Sequence, residues 1–367
     1  MTQDRLGEKI ARRIRAEGPL SVAAYMAMVL YDPELGYYVT RRPIGAGGDF
    51  ITSPEISQIF GELIGIWCAL IWEGMGRPDP VILAELGPGS GALAFDLLRA
   101  VNALPEFPQA LRLHLVEVSP ILRAEQQRRL GITDVVWLTR LEEIPAGPLL
   151  VVANEFLDAL PIRQLVHGSQ EWAERMVTLD LGDRLIFVDG PENPALSFLV
   201  PPSLRAAAPG SVFEICPAAL NVAATLGARL TRAPGAALFI DYGRLASAVG
   251  VSLRAVSGHS PADSLAAPGS ADLSADVDFS AFAEAAGITG VDIHGPVPQR
   301  CFLHALGARA RLAALCARAS PEQRARLESG LDRLLDPEQM GDLFKVIAFT
   351  SRGLLMPPGF EDQEPMR

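Results

Sequence analysis

The segment Glu85-Leu86-Gly87-Pro88-Gly89-Ser90-Gly91 constrains the fold more than any other part of the chain. An apolar run, Val81 to Ala84, precedes it, and a helical pattern from Ala92 to Val101 follows. Strand, glycine turn and helix in succession are the layout of a nucleotide-binding α/β unit. The glycines here are spaced G-x-G-x-G, with Glu85 two residues before the first. A dinucleotide-binding turn usually reads G-x-G-x-x-G, the last gap making room for pyrophosphate at the helix N-terminus. S-adenosylmethionine has no phosphate; it carries a sulfonium cation and an amino-acid tail. Bare backbone beside an acid suits that molecule better, and the segment reads as a methyl-donor site.

A second acid supports this reading. Residues 111–118 (LRLHLVEV) are apolar at most positions, as a buried parallel strand should be, and Glu117 lies near the C-terminal end. In doubly wound folds a carboxylate at that place takes ribose hydroxyls, two donors meeting a double acceptor. Glu85, Gly87, Pro88, Gly89, Gly91 and Glu117 are therefore the candidate donor-binding residues. The plainer alternative, a tight turn plus a surface Glu, does not explain why both acids fall at strand ends. A nicotinamide-dependent oxidoreductase is favoured by Glu117 and opposed by the glycine spacing and by Glu85.

Composition sets the outer bounds. A chain of 367 residues, 49% apolar and 20% charged, can bury a large core. A net charge of −11 argues against nonspecific nucleic-acid or anionic-membrane binding. No apolar run approaches the ~20 residues needed to span a bilayer. The polar, amphipathic N-terminus has no signal-peptide apolar region, and its acids oppose a transit peptide. Cys68, Cys216, Cys301 and Cys316 are scattered without C-x-x-C spacing. They read as reduced thiols of a cytoplasmic protein. The five histidines show no metal-ligand spacing, and there is no G-x-S-x-G elbow, so metal and acyl-transfer chemistry have no local support.

Along the chain, 5–17 and 21–31 read as helices, and a glycine-rich loop, Gly45 to Asp49, leads to a helix through Trp72 with Ser53 as its cap. The core pattern is strand 81–87, helix 91–104, strand 111–118, helix 120–130, and strands 134–139 and 148–154. Residues 162–200 alternate like an antiparallel insertion. A helix over Ala218 to Thr231 and a strand from Gly235 to Ile240 follow. Residues 244–275 read as a long functional or mobile loop. A helix 278–286, strand 290–294, helical stretch 299–335 and strand 344–350 finish the pattern.

These residues carry a family resemblance. The blocks are Tyr25 to Tyr38 (YMAMVLYDPELGYY), Gly48 to Gly61 (GDFITSPEISQIFG), Glu85 to Gly91, Val116 to Arg123 (VEVSPILR) and Asn154 to Pro161 (NEFLDALP). To these add Glu214 to Pro217 (EICP), Ile240 to Gly243 (IDYG) and Met340 to Phe349 (MGDLFKVIAF). In this order they resemble the MidA-like methyltransferase family, which includes a mitochondrial complex I assembly methyltransferase. The resemblance implies an α/β class I S-adenosylmethionine-dependent fold, Rossmann-like, with a mostly parallel seven-stranded sheet. It places an N-terminal helical region and glycine lid at 1–75 and the core at 76–161 and 235–353. An inserted β/α subdomain takes 162–234 and a tail 354–367. It implies methylation of a protein arginine, in a complex I core subunit for mitochondrial members. Glu85, the glycines and Glu117 match the donor site, and Asn154, Glu155 and Asp158 match the motif where the methyl is transferred. Two departures fall near the expected acceptor: Arg254 stands where members usually have Gln, and Asp276 where they have His, while His259 matches.

Arginine as acceptor also has a physical rationale. A guanidinium stays protonated and pairs bidentately with carboxylates, which can localise the charge and accept the released proton. Glu155 and Asp158, with Asn154 beside them, are the candidate catalytic residues. The ordinary alternative for Glu155 is capping at a strand-to-helix junction. Ser53 and Glu55, after the flexible Gly45, Gly47 and Gly48, are candidates for a lid or wall over the donor. Asp241, Tyr242 and His259 are candidates for the acceptor side. The other reading is an assembly factor that keeps the fold without the chemistry.

Overall fold

A computed structural model describes residues 2–41, 45, 51–131 and 134–361. At the N-terminus are α1 (Thr2–Glu17), a short β1 (Leu20–Ser21), α2 (Val22–Tyr31) and α3 (Tyr37–Thr40). Ser21 caps α2, its side chain accepting from the Ala24 amide. The expected glycine-rich lid at Gly47 and Gly48 lies outside the described residues. The helix expected from Ser53 to Trp72 is two helices, α4 (Ser53–Ile56) and α5 (Gln58–Gly74). The break is at Ser57, whose extended backbone and side-chain bond to the Ile59 amide restart the helix. Ser53 is thus inside a helix, not its cap.

The central sheet forms from the apolar runs. In chain order the elements are β2 (Val81–Leu86), α6 (Ala92–Val101), α7 (Phe107–Ala110), β3 (Leu111–Val116), α8 (Pro120–Leu130), β4 (Val135–Leu138) and β5 (Leu149–Asn154). Next come β6 (Arg163–His167), β7 (Trp172–Leu179), β8 (Leu185–Glu192), β9 (Val212–Ile215), α9 (Pro217–Leu230) and β10 (Gly235–Arg244). The short β11 (Arg254–Ser257), β12 (Ser260–Ala262), β13 (Asp272–Ser274) and β14 (Val277–Asp278) lead to α10 (Phe279–Gly287) and β15 (Asp292–Pro298). The chain closes with α11 (Gln299–Ala305), α12 (Ala308–Cys316), α13 (Pro321–Leu335) and β16 (Phe344–Thr350).

The main sheet runs β15-β16-β10-β5-β2-β3-β4, with β14 alongside β10. Pairing is parallel from β4 through β10; β16 is antiparallel to both of its neighbours. The mostly parallel seven-stranded sheet expected from the sequence is thus present. Alternation sends successive side chains to two cores. Val81, Leu83, Leu113, Leu115, Leu150 and Val152 face α5, α6 and the α11–α13 group. Ile82, Ala84, Val116, Val151, Ala237 and Phe239 face α9 and α10.

The order in which strands are added to the sheet reverses at β2, which pairs in parallel with β3 on one side and β5 on the other. A crevice opens at such a switch point, above the C-terminal strand ends. Residues following β2, β3 and β5, with Tyr242 near the end of β10, line it.

A second sheet, β1-β7-β6-β9 with β8 beyond β7, contains the antiparallel hairpins expected over 162–200. The expectation of a long loop over 244–275 is corrected: β12-β11-β13 form a three-stranded sheet there. Its apolar face, Ala255 and Leu273, packs with Leu6, Ile10 and Tyr25 of the N-terminal helices. Small and polar residues concealed these strands, because each is short and its stability comes from distant helices. The helical stretch 299–335 is likewise three helices, with Gly307 in the left-handed region between the first two.

Helices α5 and α6 approach closely through glycine. A Cβ on Gly65 would lie 2.9 Å from the Leu97 carbonyl oxygen and 3.1 Å from its Cα. The obstacle is backbone and cannot swing aside. Gly65→Ala is expected to cost about 1–3 kcal/mol, read as a lower midpoint in denaturant or heat.

Candidate active site

The glycine turn after β2 has a left-handed backbone at all three glycines. Gly87, Gly89 and Gly91 have φ of 63°, 54° and 82°, conformations that exclude most side chains. A Cβ on Gly87 would also meet the Phe156 ring at 2.9 Å. The turn lines a cleft of about 870 Å³ together with Glu117, Glu155, Asp158 and Tyr242. That is room for a cofactor and an acceptor side chain.

Glu85 and Asn154, from the ends of β2 and β5, line a recess of about 40 Å³ with Gly87 and Gly89. Glu85 Oε2 and Asn154 Oδ1 are buried with no hydrogen-bond partner among the described residues, as is Ser53 Oγ nearby. Two acceptors facing one recess call for a donor, and an ammonium group supplies three N–H bonds. Burial pushes the Glu85 carboxyl from 4.5 up to about 8, with a smaller contribution from Glu117. The recess therefore fits the amino-acid tail of S-adenosylmethionine.

Glu117, just after the end of β3, lines the cleft on the other side of the turn. Its Oε1 accepts from the Ser119 amide at 2.8 Å, and Oε2 accepts from Gln126 Nε2 at 3.2 Å. Gln126 also donates to the Gly89 carbonyl at 2.8 Å and accepts from Trp137 Nε1 at 2.9 Å. It is fully buried and braces the donor turn against Glu117. Sequence reading missed it, although a usable signal was present. Leu122, Gln126 and Leu130 fall at i, i+4 and i+8, so Gln occupies the buried stripe of α8. Beyond Glu117, Leu86, Val116, Val118 and Leu141 form an apolar wall suited to a purine.

The second part of the cleft is acidic and aromatic. Glu155 has φ of 50°, an uncommon value for a side chain other than glycine. Its Oε1 accepts from the Ser53 amide at 3.0 Å and from Asn154 Nδ2 at 2.9 Å. Part of the side chain is open to the cleft, while protein surrounds the rest. Burial pushes this carboxyl up to about 7, aided by Asp158. Asp158 is pushed up by burial, with Tyr242 pulling down through a short hydrogen bond from its hydroxyl. Tyr31 and Tyr38, stacked with ring centroids 5.8 Å apart, form another wall, with Asp272 beside them.

Not every anticipated residue faces the cleft. Asp241 Oδ2 accepts from the amides of Phe156, Leu157 and Asp158, at 3.1, 2.9 and 3.3 Å, and Oδ1 accepts from the Tyr242 amide. It organises the turn from beneath and is absent from the cleft wall. Burial, Asp158 and Glu155 push its carboxyl up, against the pull of the amides. His259 sits in the exposed turn between β11 and β12, with φ of 60°, away from the cleft. Glu55 accepts from Ser90 Oγ and, at 2.8 Å, from Arg129, fastening α4 to the donor turn. Ser53 reaches the site through its backbone. Among the described residues, no three His, Cys, Asp or Glu are grouped to hold a metal, and no helix is long and apolar enough to cross a membrane.

Residues 63–297 match the model of a family described as S-adenosyl-L-methionine-dependent methyltransferases. The chain belongs to this family. Its relatives include the zebrafish (Danio rerio) mitochondrial protein arginine methyltransferase NDUFAF7, 38% identical, the match covering 92% of this chain and 84% of the relative. The human protein of the same name is 37% identical over 92% of this chain and 81% of its own. A crystal structure of a Burkholderia thailandensis protein superposes with a TM-score of 0.86 at 31% identity, covering 99% of this chain and 95% of the other. That structure is bound to S-adenosyl-homocysteine. The chain is an S-adenosylmethionine-dependent methyltransferase, and the nicotinamide reading falls away. The expected cytoplasmic location is overturned, because the named animal relatives are mitochondrial proteins. Scattered thiols report a reducing environment, which does not single out one compartment.

Two outcomes follow for this methyltransferase. Gly87→Ala is expected to abolish S-adenosylhomocysteine binding in calorimetry while the fold, followed by circular dichroism, is retained. Affinity for the same ligand is expected to rise between about pH 6 and pH 8, as Glu85 ionises to meet the ammonium. In the ligand-free chain the raised Glu85 carboxyl acts oppositely: the stability it preserves below 4.5 is lost as pH rises through about 8. Glu85→Gln is expected to flatten both dependences and to weaken binding about tenfold or more.

Proposed function

We propose that this methyltransferase modifies an arginine of a protein substrate, with Glu155 and Asp158 acting on the guanidinium and Asn154 placing Glu155. The observation that carries the reading is the cleft wall itself: Glu155, Asp158, Tyr242, Tyr31 and Tyr38 gathered beside the donor turn. Carboxylates and tyrosine faces suit a planar cation, by bidentate pairing and by cation–π attraction. The naming of the animal relatives as protein arginine methyltransferases supports it. A respiratory complex I core subunit, methylated in an assembly role, is the target that the resemblance implies.

When bound, S-adenosylmethionine supplies an electrophilic methyl on a sulfonium. The chain must hold one guanidinium nitrogen in line with it and remove a proton as the new N–C bond forms. Asp158 and the Tyr242 face hold the cation's non-reacting nitrogens. Glu155, with its carboxyl near 7, is poised to take the proton at neutral pH. The Ser53 amide and Asn154 Nδ2 both bond its Oε1, which fixes the carboxylate plane and leaves Oε2 for this task. Water is held off by the aromatic wall.

The test is transfer of a labelled methyl group from the donor to protein from the native cell, with mass spectrometry locating the mark. Methyl-arginine is the expected product; a mark on lysine or on a small molecule would sink the reading. Glu155→Gln is expected to lower kcat by about 10²–10⁴ with little change in donor affinity. It should also remove the rise in rate expected of the wild type as pH passes about 7.

A further inference from the structure

The acceptor end of the cleft already contains a guanidinium. Arg254, on β11, places Cζ 4.3 Å from the centroid of the Tyr242 ring. Tyr242 donates to Asp158 Oδ2 from the same ring, and Arg254 itself lines the cleft. From its outer side Nη2 donates to Asp276 Oδ1 at 3.2 Å. We propose, resting on the arginine reading above, that Arg254 is a resident occupant of the acceptor subsite, stacked where the substrate guanidinium must stack and displaced toward Asp276 when it enters.

Three features carry this. The first is coincidence of chemistry: the groups expected to bind the acceptor, a tyrosine face and a carboxylate, are the ones that Arg254 engages. Arg254 and Asp158 are close enough for each to act on the other's charge. The second is ease of release. The Arg254 side chain is 44% exposed, so its head group can leave the ring while staying in reach of water. Arg254 also reaches the cleft from a small sheet outside the parallel core, so its departure disturbs no core packing. The third is the geometry of the anchor. Arg254 pairs with Ser274 across β11 and β13, and Asp276 follows two residues later. The Asp276 amide donates to Ser252 Oγ at 2.9 Å and Asp276 is not part of the cleft wall, so the carboxylate that already holds Nη2 can keep the guanidinium once it leaves the ring.

A resident cation scales the apparent affinity by the fraction of time the subsite stands open. The loss is the same factor for every entrant, so a neutral side chain, which gains neither ring nor carboxylate pairing, falls below useful affinity while a guanidinium does not. Arg254 would thus act as a specificity-determining residue that touches neither donor nor transferred methyl. A plain staple between the small sheet and the core is the competing account. It predicts loss of stability, and no gain in binding, when Arg254 is removed.

The experiment uses the full chain saturated with S-adenosylhomocysteine and titrates Nα-acetyl-arginine methylamide by calorimetry, with the acetyl-lysine analogue in parallel. Arg254→Gln is expected to bind the arginine probe about tenfold tighter than wild type, with a thermal midpoint close to wild type. The double variant Arg254→Gln/Tyr242→Leu should lose that gain. Unchanged or weaker binding by Arg254→Gln, or no binding of either probe to either protein, would overturn the inference. Labelled transfer to arginine by wild type would then leave the arginine reading standing. A gain confined to the lysine probe would do the reverse, supporting a resident cation and overturning arginine as acceptor.

Discussion

One buried carboxylate holds the site together. Asp241 receives the amides of Phe156, Leu157 and Asp158 on a single oxygen and so folds the chain that leaves β5 into a tight turn. That turn fixes Glu155 in its uncommon backbone conformation, presents Asp158 to the Tyr242 hydroxyl, and seats Phe156 against Gly87. Because Asp241 and Tyr242 are consecutive on β10, one strand end supplies both the support beneath the turn and the aromatic surface above it. Converging amides offset part of the cost of burying this group, although burial and the neighbouring acids still push its carboxyl up. The donor turn, the acidic wall and the acceptor face are positioned relative to one another through this contact.

Around this support the protein tolerates groups that oppose folding. Glu85, Glu117, Glu155 and Asp158 are all pushed up by burial, and three polar atoms near the donor turn lack partners among the described residues. Such groups are destabilising unless a ligand completes them. The two large cores on either face of the sheet offset them, with fully buried Trp67, Phe60, Phe239 and Phe349. An unsatisfied acceptor pair lowers the stability of the empty fold and strengthens its grip on a cation, so the strain is placed where binding relieves it.

Legibility in the sequence varied with the range of the forces involved. The strands β2, β3 and β5 and the glycine turn could be read directly, since apolar continuity and left-handed backbone are local requirements. The α4–α5 break at Ser57 was missed because a side-chain cap can restart a helix inside a continuous apolar pattern. The small sheet over Arg254 to Ser274 was missed because its stability comes from helices more than two hundred residues earlier. Gln126 was overlooked although its stripe position exposed it. Asp241 and Glu55 are only candidates for ligand contact in the sequence, and in the fold each is a carboxylate committed to protein partners.

By itself the sequence determined the fold class, the place of the donor turn, the two acids at strand ends and the family of the chain. These depend on period, on backbone torsion and on short motifs, all properties of neighbouring residues. Tertiary structure decided which carboxylates remain free for chemistry and which serve as scaffolding. It also brought Arg254, from a sheet packed on the N-terminal helices, onto the ring of Tyr242 at the end of β10. Residue type cannot distinguish these roles. They depend on which donors converge on each oxygen, and that is settled only when distant segments pack together.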